Sequence, residues 1–215
     1  MAIWMPRIDR LPADERGVTI GDFLVPIRLS ERLSARVRHV SLVIADVLLI
    51  AVSAQVAIFV PGNPVPFTGQ TFGVLLVGGA LGFRRGLSAG LLYLAIGAVG
   101  LPVYAEGRHG IEIISGATGG YLIGFVLAAA LVGRLAELGW DRTIWGGIAA
   151  MLLGSVVIYA LGVPWLAVTA YQGDLGRAVA NGLLPFLPWD AVKLGLAAAA
   201  FPLAWWLVGR RPGDR

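Results

Sequence analysis

The chain has 215 residues, no cysteine, thirty glycines and a formal net charge of +4. Its mean hydropathy is +0.78 and only 14% of its residues are charged, against about 25% in a soluble domain. These values exclude a soluble globular domain, disulfides and thiolate metal sites, and they indicate one compact bundle embedded in membrane lipid.

Residues 1–40 read as an arginine-rich cytoplasmic tail. It carries Arg7, Arg10, Arg16, Arg28, Arg32, Arg36 and Arg38 with five acids and no long apolar run. The apolar run that follows is too long for the core of a signal peptide, and no cleavage site follows it. Six apolar segments then occur in order: 41–60, 68–83, 87–104, 118–136, 144–163 and 189–208. Most approach the ~20 residues that cross a ~30 Å hydrocarbon core. The second is short, and either begins earlier, at Pro66, or is partly re-entrant. The membrane domain is expected to span 41–209, with a basic cytoplasmic end at 210–215.

The fold expected is therefore an all-α integral membrane protein, a compact bundle of six transmembrane helices. With six spans and a cytoplasmic N-terminus, fourteen arginines fall inside and only Arg108 and Arg177 outside. Cytoplasmic loops collect arginine and lysine, so both termini are expected in the cytoplasm of a bacterial cell, with the protein multi-pass in the inner membrane. The same rule accounts for the sequence pI near 10, and no nucleic-acid partner is expected. Loops 61–67, 105–117 and 164–188 then face outward. The last of these has the pattern of a short amphipathic helix from Asp174 to Leu184.

Motifs for chemistry are few. Residues 86–90, GLSAG, fit G-x-S-x-G, but a nucleophile elbow needs a strand–turn–helix and a nearby histidine; this match opens an apolar segment. A P-loop needs G-K-[ST], and Lys193, the single lysine, is followed by Leu194. His39 and His109 stand apart from other ligand types, so no metal site is expected. Small residues spaced by four recur at Ser53 and Ala57, Gly86 and Gly90, and Gly116, Gly120 and Gly124. Such spacing lets helices approach closely. It serves either packing within the bundle or docking of another membrane subunit, and Ser53 with Ala57 is the docking candidate.

Asp190 and Lys193 interrupt an apolar stretch. At i and i+3 they share a helix face, near the outer end of the sixth segment. A charge in a membrane span costs on the order of 3 kcal/mol at mid-span. Either the two charges pair with each other at the interface, or they face the bundle interior as a ligand site.

Four stretches in order, VPFTGQTFGVLLVGGALGFRRG (65–86), GLPVYA (100–105), GATGGYLIGF (116–125) and PFLPWDAVKLGLA (185–197), resemble the BioY family, the biotin-specific substrate-binding (S) components of energy-coupling-factor (ECF) transporters. The resemblance runs from about residue 41 to 208. It implies six membrane helices with a vitamin pocket near the outer face. It also implies partners: a transmembrane coupling protein and cytoplasmic ATPase subunits. Biotin is then the transported ligand, and no cofactor is expected. Asp190 is the expected acceptor for the ureido N–H groups and Lys193 the partner of a polar or anionic end. Gln70 is expected to bind an amide-like group, Tyr121 and Tyr93 to wall the ring, and Arg108 to meet the carboxylate. Thr118 is a weaker contact. The competing functions are an S component or solitary transporter for another small vitamin, and an intramembrane enzyme using Asp190 or Ser88.

Overall fold

A computed structural model describes residues 19–21 and 34–208. Among these, six helices have twelve residues or more: α1 (Ala35–Gln55), α2 (Gln70–Leu81), α3 (Phe83–Ala98), α5 (Gly119–Glu137), α6 (Ile144–Ala170) and α8 (Leu187–Val208). Two short helices, α4 (Ile111–Ser115) and α7 (Leu175–Gly182), lie in the connections. Each apolar segment of the sequence holds one long helix. The protein is mostly helical, with one small addition: β1 (Ala57–Ile58) pairs antiparallel with β2 (Phe67–Thr68), Ala57 opposite Thr68. The proline-rich loop between them cannot continue a helix, because proline lacks the N–H a helix needs.

Length separates the helices. Among the described residues, α1, α5 and α6 alone are each long and apolar enough to cross a membrane, and a fourth span results if bent α7 and α8 count as one. α2, with twelve residues, rises about 18 Å, less than the ~30 Å core. The chain breaks between α2 and α3 at Gly82, whose φ of 85° suits glycine and strains other residues. The N-terminus of α3 is capped from a distance: the Phe83 N–H donates to Glu137 Oε1 at 2.9 Å.

Several expected boundaries move. α1 starts at Ala35, with Ser34 accepting a hydrogen bond from the Val37 N–H at 3.3 Å. Arg36 and Arg38 therefore belong to the first helix rather than to the tail. Most of the tail lies outside the described residues, but Thr19 and Ile20 are buried, and Thr19 lies beside Gly82. α6 continues to Ala170, so its last turn takes up the start of the loop expected at 164–188. α7 occupies the predicted amphipathic stretch, with Asp174 as its N-cap. The basic end of the chain, 210–215, lies outside the described residues.

α5 forms the centre and packs against α2, α3 and α6. Small residues make this possible. A Cβ on Gly78 would lie 2.4 Å from the Ala129 carbonyl oxygen of α5, and one on Gly124 would lie 2.9 Å from the Ile158 Cα of α6. The Gly120 and Gly124 spacing thus serves packing within the bundle. Ser53 is also turned inward: its Oγ would lie 2.5 Å from a Cβ on Gly73 of α2. Ala57 lies in β1. The outward face of α1 is made instead by Val40, Ile44, Leu48, Val52 and Val56. Leu91, Leu127, Val156, Leu196 and Leu203 continue this apolar exterior. Soluble monomers rarely expose apolar surface this extensive.

The helix ends gather at two poles. Glu137, Gly82, Asp141 and Trp205 meet at one. The hairpin, α4 and α7 gather at the other, where the Asn63 side-chain amide donates to the Asn181 carbonyl at 2.8 Å and Trp165 Nε1 donates to the Gly116 carbonyl at 2.8 Å.

Candidate functional site

Two adjoining cavities lie between α2, α5, α6 and α8, toward the pole of the hairpin. The larger has a volume of about 50 Å³ and is walled by Val65, Leu122, Phe125, Ile158 and Phe186, with Thr68, Gln70, Thr71, Thr118, Tyr121 and Tyr159 as its polar groups. The smaller, about 10 Å³, is bordered by Thr71, Ser155, Asp190 and Lys193 among apolar neighbours. Thr71 borders both.

The hairpin positions the first polar group. Pairing of β1 with β2 fixes Thr68, and the Gly69 N–H donates to the Val56 carbonyl at 2.9 Å. Thr68 Oγ1 then donates to Gln70 Oε1 at 3.1 Å, and Gln70 Nε2 donates to the Tyr93 hydroxyl at 2.7 Å. That hydroxyl in turn donates to the Val103 carbonyl at 2.9 Å. The Gln70 amide is therefore held at both ends, with one N–H and one lone pair left for a further partner. A glutamine at 4% exposure needs such partners, because an unpaired buried polar group costs about 1–3 kcal/mol.

The charged corner is built from α8, α6 and the hairpin. Lys193 Nζ lies 3.2 Å from Asp190 Oδ1 and donates to the Thr68 carbonyl at 3.0 Å. The Tyr159 hydroxyl donates to Asp190 Oδ2. Asp190 is 5% exposed. Burying two charges is costly unless they pair and their remaining groups are hydrogen-bonded. Here each carboxylate oxygen has a donor, and one ammonium N–H remains available. The two charges are mutually paired, with Asp190 buried and Lys193 half-buried at the edge of the smaller cavity.

Five of the seven expected ligand residues border the two cavities: Gln70, Thr118 and Tyr121 the larger, Asp190 and Lys193 the smaller. The Tyr121 hydroxyl donates to the Gly182 carbonyl at 2.9 Å, tying α5 to α7. Thr118 Oγ1 donates to the Ile113 carbonyl at 3.2 Å. Two residues stand apart. Tyr93 lies behind Gln70, edge-on to Tyr104, and orients the amide rather than walling the cavity. Arg108 stacks its guanidinium over the Phe59 ring at 5.3 Å and donates from Nε to the Ala105 carbonyl. Ser88 lies within α3, with no strand–turn–helix of the kind a nucleophile elbow needs.

Sequence reasoning missed Tyr159, Ser155, Thr68, Thr71 and Phe186. A signal existed for the first two. Ser155 and Tyr159 stand four apart on α6, hence on one face, in a helix otherwise almost wholly apolar.

Residues 28–210 match the model of the BioY family. The chain belongs to the BioY family. A biotin transporter BioY from Thermotoga maritima is 41% identical over 150 residues, which is 70% of this chain and 85% of that protein. A probable biotin transporter BioY from Pyrococcus horikoshii is 38% identical over 162 residues, covering 75% and 93%. The crystal structure of the S-component for biotin from an ECF-type ABC transporter superposes with a TM-score of 0.72 at 25% identity, over 80% of this chain and 93% of that one. BioY-family proteins are transporter components and not enzymes, which sets aside the intramembrane enzyme. The BioY match starts at residue 28, so the first part of the arginine-rich tail lies outside it.

Proposed function

We propose that this chain is the biotin-binding S component of an ECF transporter and that the Asp190–Lys193 corner receives the ureido ring. The observation that carries this reading is a buried aspartate, paired with a half-buried lysine, at the edge of a small, mostly apolar cavity in a BioY-family bundle. Asp190 accepts from the ureido N–H groups, and the free ammonium proton of Lys193 meets the ureido carbonyl side. Because the two side chains touch, they act on one end of the ligand. Gln70 supplies a second polar contact. Leu122, Phe125, Ile158 and Phe186 pack the thioether ring, and the valerate tail runs toward Thr118.

Ligand pockets for small molecules run about 300–1,000 Å³, so a cavity of about 50 Å³ must widen. The stacked rings of Phe67 and Phe186, 4.1 Å apart, join the hairpin to the connection before α8. Their separation enlarges the cavity from the loop side.

In this reading the bundle crosses the bacterial inner membrane six times with both termini inside. The short α2 and α3 each cross a thinned or polar part of the layer. The arginine asymmetry supports that orientation. Transport energy comes from a coupling protein and ATPase subunits, since the sequence contains no P-loop.

Calorimetric titration of the purified protein with biotin tests the ligand, and uptake of labelled biotin in cells with and without the partner subunits tests the coupling. Saturable binding and partner-dependent uptake are expected. Absence of biotin binding alongside binding of another vitamin sinks the assignment. For topology, cysteines at positions 108 and 177 should react with an impermeant thiol reagent from outside, and one at position 84 should not.

A further inference from the structure

We infer that Ser155 of α6 is a further ligand contact, its hydroxyl donating to the ureido carbonyl beside Lys193. The inference rests on the reading of the cavity as a biotin site. Ser155 is 8% exposed, and its Oγ has no hydrogen-bond partner within the protein. A hydroxyl on a helix can bond back to a carbonyl one turn earlier. Ser53 does so to the Ile50 carbonyl at 2.7 Å, Ser115 to Ile111 at 3.2 Å and Thr169 to Trp165 at 2.8 Å. Ser155 forgoes that bond.

Its surroundings identify what it awaits. Ser155 borders the smaller cavity together with Asp190 and Lys193. It also borders an outward groove between α6 and α8, lined there by Leu152, Val156, Ala160, Val163 and Leu187. On the groove side the hydroxyl meets hydrocarbon. The groove's other polar groups, Tyr159 and Asp190, are already bonded to each other. On the cavity side lies the ion pair. A buried donor without a partner is costly, and a ligand carbonyl in the cavity satisfies it. A cyclic urea presents two donors flanking one acceptor. Asp190 answers the donors; Ser155 and Lys193 answer the acceptor.

The test is a cycle of Ser155→Ala against two ligands, biotin and its thiourea analogue, in which sulfur replaces the ring carbonyl oxygen. Removing one neutral hydrogen bond should weaken biotin binding roughly two- to tenfold. The analogue, a poor acceptor, should bind wild type and Ser155→Ala alike, and Ser155→Thr should keep most of the biotin affinity. Thermal stability without ligand should hold or rise in Ser155→Ala, since an unpaired donor is removed; a large fall marks Ser155 as structural and overturns the proposal. Unchanged biotin affinity in Ser155→Ala overturns it too, with the biotin site intact. Equal losses for both ligands show that the hydroxyl does not meet the carbonyl. If wild type itself binds no biotin, the reading of the cavity fails first and this inference falls with it.

Discussion

Asp190 and Asp141, two of the buried aspartates, sit at opposite poles of the bundle with similar hydrogen-bond partners. Each carboxylate takes a hydrogen bond from an aromatic side chain: Asp190 from the Tyr159 hydroxyl, Asp141 from Trp205 Nε1 at 2.6 Å. Each has a cation close by. Lys193 touches Asp190 directly, while Arg142 stacks over the Trp205 ring at 4.6 Å. They differ in what surrounds them. Asp190 has both oxygens satisfied and borders a cavity. Asp141 keeps Oδ1 unpartnered and fastens the turn before α6 to the far end of α8. Burial of a carboxylate is therefore not in itself a sign of a binding site. In the proposed reading the cavity beside a fully satisfied charge marks the site, because the charge is already paired before any ligand arrives.

The largest effect should come from breaking the first corner. Asp190→Ala removes a charge-assisted acceptor, worth about 1.5–3 kcal/mol, so biotin affinity should fall on the order of tenfold or more. It also strands Lys193, a half-buried ammonium that keeps only the Thr68 carbonyl, so thermal stability should fall as well. Replacing the pair together, Asp190→Leu with Lys193→Met, should recover much of the lost thermal stability and none of the binding. Recovery of both would make the pair a structural device, equivalent to Asp141.

The mirror experiment breaks the other pole. Trp205→Phe keeps a ring over Arg142 but removes the donor to Asp141. Stability should drop by about 1–3 kcal/mol, read as a lower unfolding temperature in detergent. Calorimetric affinity for biotin should stay within twofold, since Asp141 borders neither cavity. A parallel loss of affinity would mean that the two poles are coupled.

Titration sharpens the contrast further. Desolvation raises the Asp141 carboxyl to about 6 from its usual 3.8, against the pull of the Trp205 hydrogen bond and the Arg142 charge. A carboxyl raised on folding holds its proton more tightly in the native state. Its contribution to stability is complete below about pH 4 and is lost as pH rises through 6. Relative to Asp141→Asn, which does not titrate, wild-type stability should decline between pH 4 and 7 by about 1–3 kcal/mol and run parallel above that. Denaturation midpoints at several pH values measure it, and a flat difference removes the titration from Asp141.

Much of this arrangement was legible in the sequence, for identifiable reasons. All six apolar segments became helices because apolar runs and charge breaks report burial in lipid directly. Asp190 and Lys193 were visible because charges are rare in such runs. Gln70 and Tyr121 came through the family resemblance. The helix ends were less legible. α2 stops at Gly82 because that residue adopts a left-handed turn and meets Glu137, a contact fifty-five positions away. Which face of α1 turns inward depends on Gly73 of α2 and on Gly69 just before it, and a run of valines, leucines and alanines does not encode it. The partner of Tyr159 is fixed only by tertiary packing, which brings Asp190 of α8 beside it.

The smallest expected effect concerns Arg108, which the resemblance assigns to the ligand carboxylate. Its guanidinium rests over Phe59, at the start of the hairpin loop, and borders neither cavity. An exposed cation–π contact is worth about 0.5–1 kcal/mol. If Arg108 only steadies the hairpin, Arg108→Ala should weaken biotin binding by threefold or less, and Phe59→Leu should do the same, because each removes the same contact. The two changes combined should then cost no more than either alone. Biotin methyl ester, which lacks the anionic end, separates the remaining case. Should Arg108→Ala cost more than tenfold for biotin and nothing for the ester, the guanidinium swings from Phe59 to the carboxylate when the ligand binds. The polar pole would then extend across the hairpin to the 105–107 turn, a reach with no counterpart around Asp141.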